Sequence, residues 1–348
     1  MKTLLTVPAF KMEVDGKELP TDIMAAVESV RFEEEINMAS MFVLKLSISD
    51  FEKGAWRFIE LDDFKLGSEV KLYMGMDSTV EMVVGEVTSL EPSFGEAFST
   101  IEIRGYDRLH RLRFGKKRRT FSDMKDSEVA SRIASDRGLS SKVEDSAITH
   151  PYLYQNNQSD LEFLLDRAKR IRFEVFVNDR TLYFRAAKEN DAKSLILEYM
   201  MDFQDFSAKL SARYAGNEVK VQGWDFVNKK LISATAKKGN EVAKMSAKEL
   251  GTNMTETAFG PSSSVVVDEY LLDASEAEKI AIARYNANLV ESVTGEGKSA
   301  GIPELRAGRT IEIKGIGRFS GIYYVTSTSH TIDRSGYNTT FRVRRVGI

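Results

Sequence analysis

The stretch GRFSGIYYVTSTSHTIDRSGYNTTFRVR, Gly317 to Arg344, decides how the rest of the chain is read. Ile322, Tyr324, Thr326 and Thr328 recur with a period of two, which marks one face of a β-strand. Gly336 signals a turn, and TTFRVRR returns as a second strand. The stretch also holds a histidine, hydroxyls, tyrosines and arginines. It could therefore be an active site or the wall of a built object, and recurrence of its pattern elsewhere is what separates the two.

The pattern does recur. GEVTSLE (Gly85–Glu91) precedes a turn at Gly95 and then STIEIRG, as YYVTSTS (Tyr323–Ser329) precedes Gly336 and TTFRVRR. Upstream, FKLGSEVKLY (Phe64–Tyr73) matches LRAGRTIEIK (Leu305–Lys314), with Gly67 and Gly308 at the same place. Four elements in one order argue for an internal duplication. The expected fold is mainly β with an α+β insertion. Two related antiparallel β-barrel domains are expected to flank or carry a small α/β domain, since closed barrels remove exposed edges.

The three expected segments are 1–115 (first barrel), 116–192 (small α/β domain) and 193–348 (second barrel). In the middle segment, SDMKDSEVASRIASDRGL reads as a helix capped by Asp123. Ser159 and Glu162 form a capping-box pattern ahead of a second helix. A hairpin turning at Asn178-Asp179-Arg180 follows. The last segment holds a helix near 273–293, with Asp273 and Glu276 at its start, and a polar excursion near 237–264 read as mobile.

Composition narrows the chemistry. The chain has 348 residues, 42% hydrophobic and 29% charged, and a net charge of −3, so bulk attraction to nucleic acid is not implied. It has no cysteine and three histidines, which excludes disulfides and makes a zinc site improbable. No apolar run approaches the roughly 20 residues of a membrane helix, so no stable membrane insertion is expected. The start MKTLLTVPAF is too brief for a signal peptide, which points to cytoplasmic synthesis.

No catalytic constellation emerges. Ser327, Ser329 and Asp333 lie near His330 but without a GxSxG setting, and GIGRFSG lacks the strand-turn-helix context of a dinucleotide site. His330 reads as a hydrogen-bonded hairpin residue on the face of Ile322 to Thr328. The clusters Glu33-Glu34-Glu35 and Asp62-Asp63 read as solvated surface. The strongest charge feature is RGYDRLHRLRFGKKRRT, with Arg104, Arg108, Arg111, Arg113, Lys116, Lys117, Arg118 and Arg119. It could recognise nucleic acid, contact another protein, line a channel for a cargo or be solvated.

Three stretches carry a family resemblance: Tyr152–Phe184, Ile302–Arg345 and, more weakly, Ile101–Phe114. In them the chain resembles the phage late control D family of tail-hub proteins, the hub portion of type VI secretion spike proteins and hubs of contractile injection systems. The resemblance implies a structural baseplate hub with no catalytic residue, cofactor or metal. It implies a homotrimer whose six related units join a tail tube, or its initiator, to a trimeric spike. Baseplate wedge proteins and a transient cargo would be further partners, and the location would be a virion baseplate or injection particle. The sequence stops at Ile348 without a spike repeat, so a separately encoded spike is expected. Gly67, Gly95, Gly308 and Gly336 take turn roles, Ser159 and Glu162 a cap role. The alternatives are a stand-alone ligand- or carbohydrate-binding module and a cell-wall hydrolase.

Overall fold

The computed structural model describes residues 7–50, 55–56, 64–95, 98–212, 217–267 and 269–348. Met1 to Thr6 and the pair Asp62-Asp63 lie outside the described residues. The N-terminal part comprises β1 (Pro8–Val14), β2 (Lys17–Glu18), helix α1 (Thr21–Ala25), β3 (Val27–Glu35), β4 (Met41–Ser47), β5 (Ser49–Asp50), β6 (Ala55–Trp56), β7 (Glu69–Met76), β8 (Ser78–Ser93) and β9 (Thr100–Asp107). A 3-10 turn over Arg108–Arg113 leads to β10 (Lys117–Lys125), α2 (Asp126–Asp136), β11 (Ser140–Val143), β12 (Thr149–Gln158), α3 (Asp160–Ile171), β13 (Phe173–Asn178) and β14 (Thr181–Ala186). The C-terminal part holds β15 (Leu195–Glu198), β16 (Phe203–Leu210), β17 (Glu218–Asp225), β18 (Lys230–Lys237), α4 (Gly251–Phe259), β19 (Ser263–Val266), α5 (Ala274–Leu289), β20 (Val293–Ala300), β21 (Thr310–Lys314), β22 (Gly321–Asp333) and β23 (Gly336–Arg345).

The fold is mainly β, but the two closed barrels do not form. One open 13-stranded sheet runs β16-β20-β23-β22-β3-β4-β9-β8-β7-β1-β2, with β21 on β22 and β15 on β21. The reason lies in the length of β22. Its first residues pair with β21, and Ser327 to Ile332 pair with β3 of the N-terminal half. The edge that closure of the C-terminal half would consume is spent on joining the two halves.

Within this sheet the duplicated sequence returns as a repeated strand order. The series β3-β4-β9-β8-β7-β1 is matched by β16-β20-β23-β22-β21-β15. The irregularities match too. A bulge between Val87 and Ser89 on β8 has its twin between Val325 and Ser327 on β22. A second bulge, between Val27 and Ser29 on β3, has its twin between Phe203 and Asp205 on β16. Bulges re-aim a strand at a defined position, so paired bulges set the residue-by-residue equivalence of the halves. In each, the threonine of the VTS motif caps the bulge: Thr88 Oγ1 donates to the Arg104 carbonyl at 3.3 Å and Thr326 Oγ1 to the Arg342 carbonyl at 3.2 Å. The last strands differ, as β1 runs antiparallel to β7 and β15 parallel to β21.

Among the described residues the apolar side chains gather in four clusters. Phe32, Phe42, Leu44 and Leu72 centre the N-terminal one, Phe203, Tyr323 and Phe341 a C-terminal one. Between the halves, α2 and α3 bury Ile133 and Leu164 against β13 and β14. The fourth lies under α5, where Ile280, Ala281, Tyr285 and Leu289 recur at helical spacing. The stretch read above as a mobile excursion contributes Ala243 and Met245 to that cluster, and Lys248 and Glu249 donate their N–H groups to the Ile348 carbonyl. Asp273 caps α5 by accepting from the Glu276 N–H. Asp123 does not cap α2. It sits in β10 with φ +54°, and the helix opens at Asp126 with Glu128 accepting from the Lys125 N–H.

Candidate functional site: the seam between the repeats

The pairing of β3 with β22 sets Glu34 opposite Thr328, Glu33 opposite Ser329, Phe32 opposite His330 and Arg31 opposite Thr331. The acidic run is therefore not uniformly solvated. Glu34 shares the parity of Val30 and Phe32 and points inward with them, while Glu33 and Glu35 face outward. It receives Arg306 at 2.8 and 2.9 Å, the Ala307 N–H at 2.6 Å and the Thr328 hydroxyl at 3.1 Å. Burial works to raise its pKa, yet the Arg306 charge and these hydrogen bonds hold it below the ordinary carboxylate range. Arg306 also donates to the Met82 carbonyl at 2.8 Å, so one guanidinium ties the C-terminal half to β3 and β8. The period-two parity was the signal that could have identified Glu34.

His330 lies fully buried in the same seam. Nε2 is 3.0 Å from the Leu305 carbonyl and must donate to it, which leaves Nδ1 to accept from Tyr337 at 3.0 Å and Thr339 at 3.1 Å. Burial pushes its pKa down to about 4, so the imidazole is neutral at neutral pH. It is a hydrogen-bonded hairpin residue, but not on the face expected. The bulge at Thr326 interrupts the alternation: Tyr324 packs under α5, whereas Tyr323 and Val325 pack in the other C-terminal cluster. The two hydroxyls beside it, on Tyr337 and Thr339, are themselves buried, and among the described residues no group of three His, Cys, Asp or Glu side chains could hold a metal ion.

The basic run is spread over three elements and largely met by carboxylates of the same chain. Arg104 lies 3.6 Å from Glu91 and from Glu102. Arg108 is buried among Glu69, Glu86 and Asp179, and Arg111 bonds Glu86 at 2.8 Å. Lys117 and Arg119 each reach Asp160 at 2.8 Å, joined by Arg137 at 2.7 Å. Burial raises the Asp160 pKa, but these bonds outweigh it and keep the carboxylate ionised at the N-terminus of α3. Arg113 lies over the Tyr106 ring, Arg118 donates to the Tyr154 hydroxyl at 3.0 Å, and Lys116 is exposed.

The turn and cap residues fall as follows. Gly67 (φ +90°) and Gly308 (φ +74°) donate their N–H groups to the Val87 and Val325 carbonyls. These are equivalent bonds in the two repeats, in a left-handed conformation that favours glycine. Gly336 (φ +114°) turns β22 into β23, and the Gly95 N–H donates to Ser99 Oγ at 3.2 Å. Ser159 accepts from the Glu162 N–H at 3.1 Å, and the Glu162 carboxylate accepts from the Ser159 N–H at 2.7 Å.

This repeated-strand sheet with its inserted α/β unit is a fold shared with phage tail proteins and with a component of a type VI secretion system. Over 97% of its length the chain superposes on 98% of the 43 kDa tail protein of prophage MuSo2 from Shewanella oneidensis, with a TM-score of 0.74 at 15% identity. A tail protein of Neisseria meningitidis gives 0.69 at 12% identity, covering 97% of this chain and 96% of that one. An E. coli component of the type VI secretion system, described as structurally similar to bacteriophage tail proteins, gives 0.56 at 11% identity over 96% of this chain and 76% of that one. In sequence, residues 5–334 match the family model described as the Alg8 N-terminal domain, and the chain belongs to that family. No curated protein matches it in sequence.

Proposed function

We propose that the chain is a structural subunit of a contractile-tail or injection-machine baseplate hub. Three copies would form a ring of six related units that adapts the tail tube to a trimeric spike. The repeated strand order with its matched bulges carries this reading. A three-fold assembly presents six similar surfaces only if each chain contributes two, and this chain contains two. The tail-protein fold and a seam built from buried ion pairs rather than catalytic groups support it. In this reading the chain divides as 1–115, 116–192 and 193–348. The exposed Arg113, Lys116 and Arg118 are then the members of the basic run left to face a wedge protein or a passing cargo. Synthesis would be cytoplasmic, with the product built into a virion or injection particle.

Absolute mass in solution, alone and mixed with a candidate spike protein, tests the reading. The expected result is a species near three times 39.1 kDa that binds one spike trimer. A chain that stays monomeric at all concentrations and carries a small ligand in a pocket would instead be a binding module.

A further inference from the structure

The two repeats are equivalent down to their bulges, yet only one of two equivalent edges is used within the chain. β22 accepts β3 along Ser327–Ile332. The equivalent strand, β8, pairs with β7 only as far as Glu86, and among the described residues Leu90 to Ser93 take no strand partner on that side. The equivalent of β3 is β16, which, apart from a single bridge between Phe203 and Tyr199, pairs among the described residues with β20 and ends the sheet. Among the described residues, each chain thus ends in one vacant acceptor edge and one vacant donor edge.

We infer that the β16 edge of one copy pairs antiparallel with the β8 edge of the next, in the register that β3 and β22 already show within the chain. This rests on the reading of the chain as a ring subunit and names the contact that would build the ring. The bulges transfer the register without adjustment: Thr328 opposite Glu34 becomes Leu90 opposite Leu210, Ser329 opposite Glu33 becomes Glu91 opposite Lys209, and Thr331 opposite Arg31 becomes Ser93 opposite Ser207.

The side chains agree with that register. Within the chain the seam buries the acid Glu34, held by Arg306, Thr328 and the backbone of Ala307. The equivalents of Glu34, Thr328 and Ala307 are Leu210, Leu90 and Leu66. Two of these leucines are wastefully placed in a single copy, Leu66 being 70% and Leu210 36% exposed. Bringing the three together converts a polar seam into an apolar one, as suits a contact formed between chains. Glu91 meets Lys209 across the same rungs, an opposite-charge pair on one face of an antiparallel sheet. Pro92 stands mid-edge without an N–H, a residue that sheets tolerate at an edge. It removes one rung and thereby disfavours indiscriminate pairing. The contact is head-to-tail, so it propagates from copy to copy and closes when the rotation allows.

The chain has no cysteine, so a disulfide reports the register directly. The full-length double variant Ser93→Cys/Ser207→Cys is oxidised at high protein concentration. Two comparators run beside it: Ser93→Cys/Lys209→Cys, shifted by two residues, and Arg31→Cys/Thr331→Cys, the equivalent rung inside one chain. The expected result is intermolecular disulfide in the first variant at several times the yield of the shifted one, with an intramolecular disulfide in the third. Glu91→Lys should raise the dissociation constant of the assembly roughly fivefold, and Lys209→Glu in the same chain should restore it. If solution mass shows the assembly but the in-register pair does not cross-link, or cross-links no better than the shifted pair, this contact is wrong and the ring reading stands. A monomer by mass that fails to cross-link while the intramolecular control forms removes both.

Discussion

The two repeats build the same sheet from opposite distributions of volume. Where β4 meets β9, Phe42 faces Gly105, and Leu44 faces Ile103 on a later rung. On the matching rungs of β20 and β23, Gly295 faces Val343 and Gly297 faces Phe341. In the first repeat the β4 strand supplies the ring and β9 the space; in the second β20 supplies the space, which Phe206 and Phe341 fill. The strand that supplies the bulk changes from one repeat to the other, a redistribution that cores tolerate. Bulges, turn glycines and the VTS threonine stay put because they set backbone direction, and backbone direction has no such substitute.

Each comparison can be broken experimentally. The largest effect belongs to the seam. Glu34→Ala leaves Arg306 buried without its partner and should cost about 4 kcal/mol in urea unfolding. Leu210→Ala, at the equivalent position, should leave the single chain within about 0.5 kcal/mol of the parent. Equal losses at both sites would mean the repeats are not used differently.

Next comes the exchange of volume. A Cβ at Gly105 would sit 2.2 Å from Phe42 Cζ and 2.3 Å from the Glu86 carbonyl oxygen, and the latter is backbone. Gly105→Ala should cost about 3 kcal/mol. For Gly297→Ala the nearest atoms belong to rings, those of Phe341 and Phe206, and rings can shift, so its loss should be smaller. A reversed order would show that the second repeat is the stiffer.

His330 adds a pH signature. Its folded pKa, about 4, lies below the ordinary histidine value, so the unfolded chain binds the proton first as pH falls. The parent should lose stability relative to His330→Asn between about pH 6.5 and 4, by no more than about 3 kcal/mol, with no further divergence below that window. Asp107 opposes this in part: burial pushes it up to about 6, and its protonation favours the folded state over the same range. The difference between parent and variant, measured across pH, isolates the histidine. The smallest effect is that of the bulge caps. Thr88→Val and Thr326→Val should each cost about 1 kcal/mol, and by similar amounts, if the two bulges do the same job.

Much of this was legible in the chain itself. The VTS motifs, the glycines at Gly67 and Gly308, the capping box at Ser159 and the side-chain cap at Asp273 are local devices. Their geometry is decided within a few residues, so composition and spacing reveal them. The duplication was visible for the same reason, because both copies need the same turns. The resemblance pointed to tail proteins, with which the chain shares its fold, while the closed barrels expected alongside it did not form.

Other features depended on partners far along the chain. Glu34 looked like one of three surface acids until β22 covered it. His330 changed face because a single extra residue at Thr326 broke the alternation. The expected barrels gave way to an open sheet because β22 takes β3 beside it, nearly the whole chain away. Backbone edges bond through N–H and C=O groups that every residue but proline carries, so no local residue pattern says which strand an edge will accept. The sequence by itself determined where strands bend, turn and cap. Only the tertiary structure decided which edges meet, because that choice is made by side chains such as Glu34 and Arg306 that become neighbours only once the sheet exists.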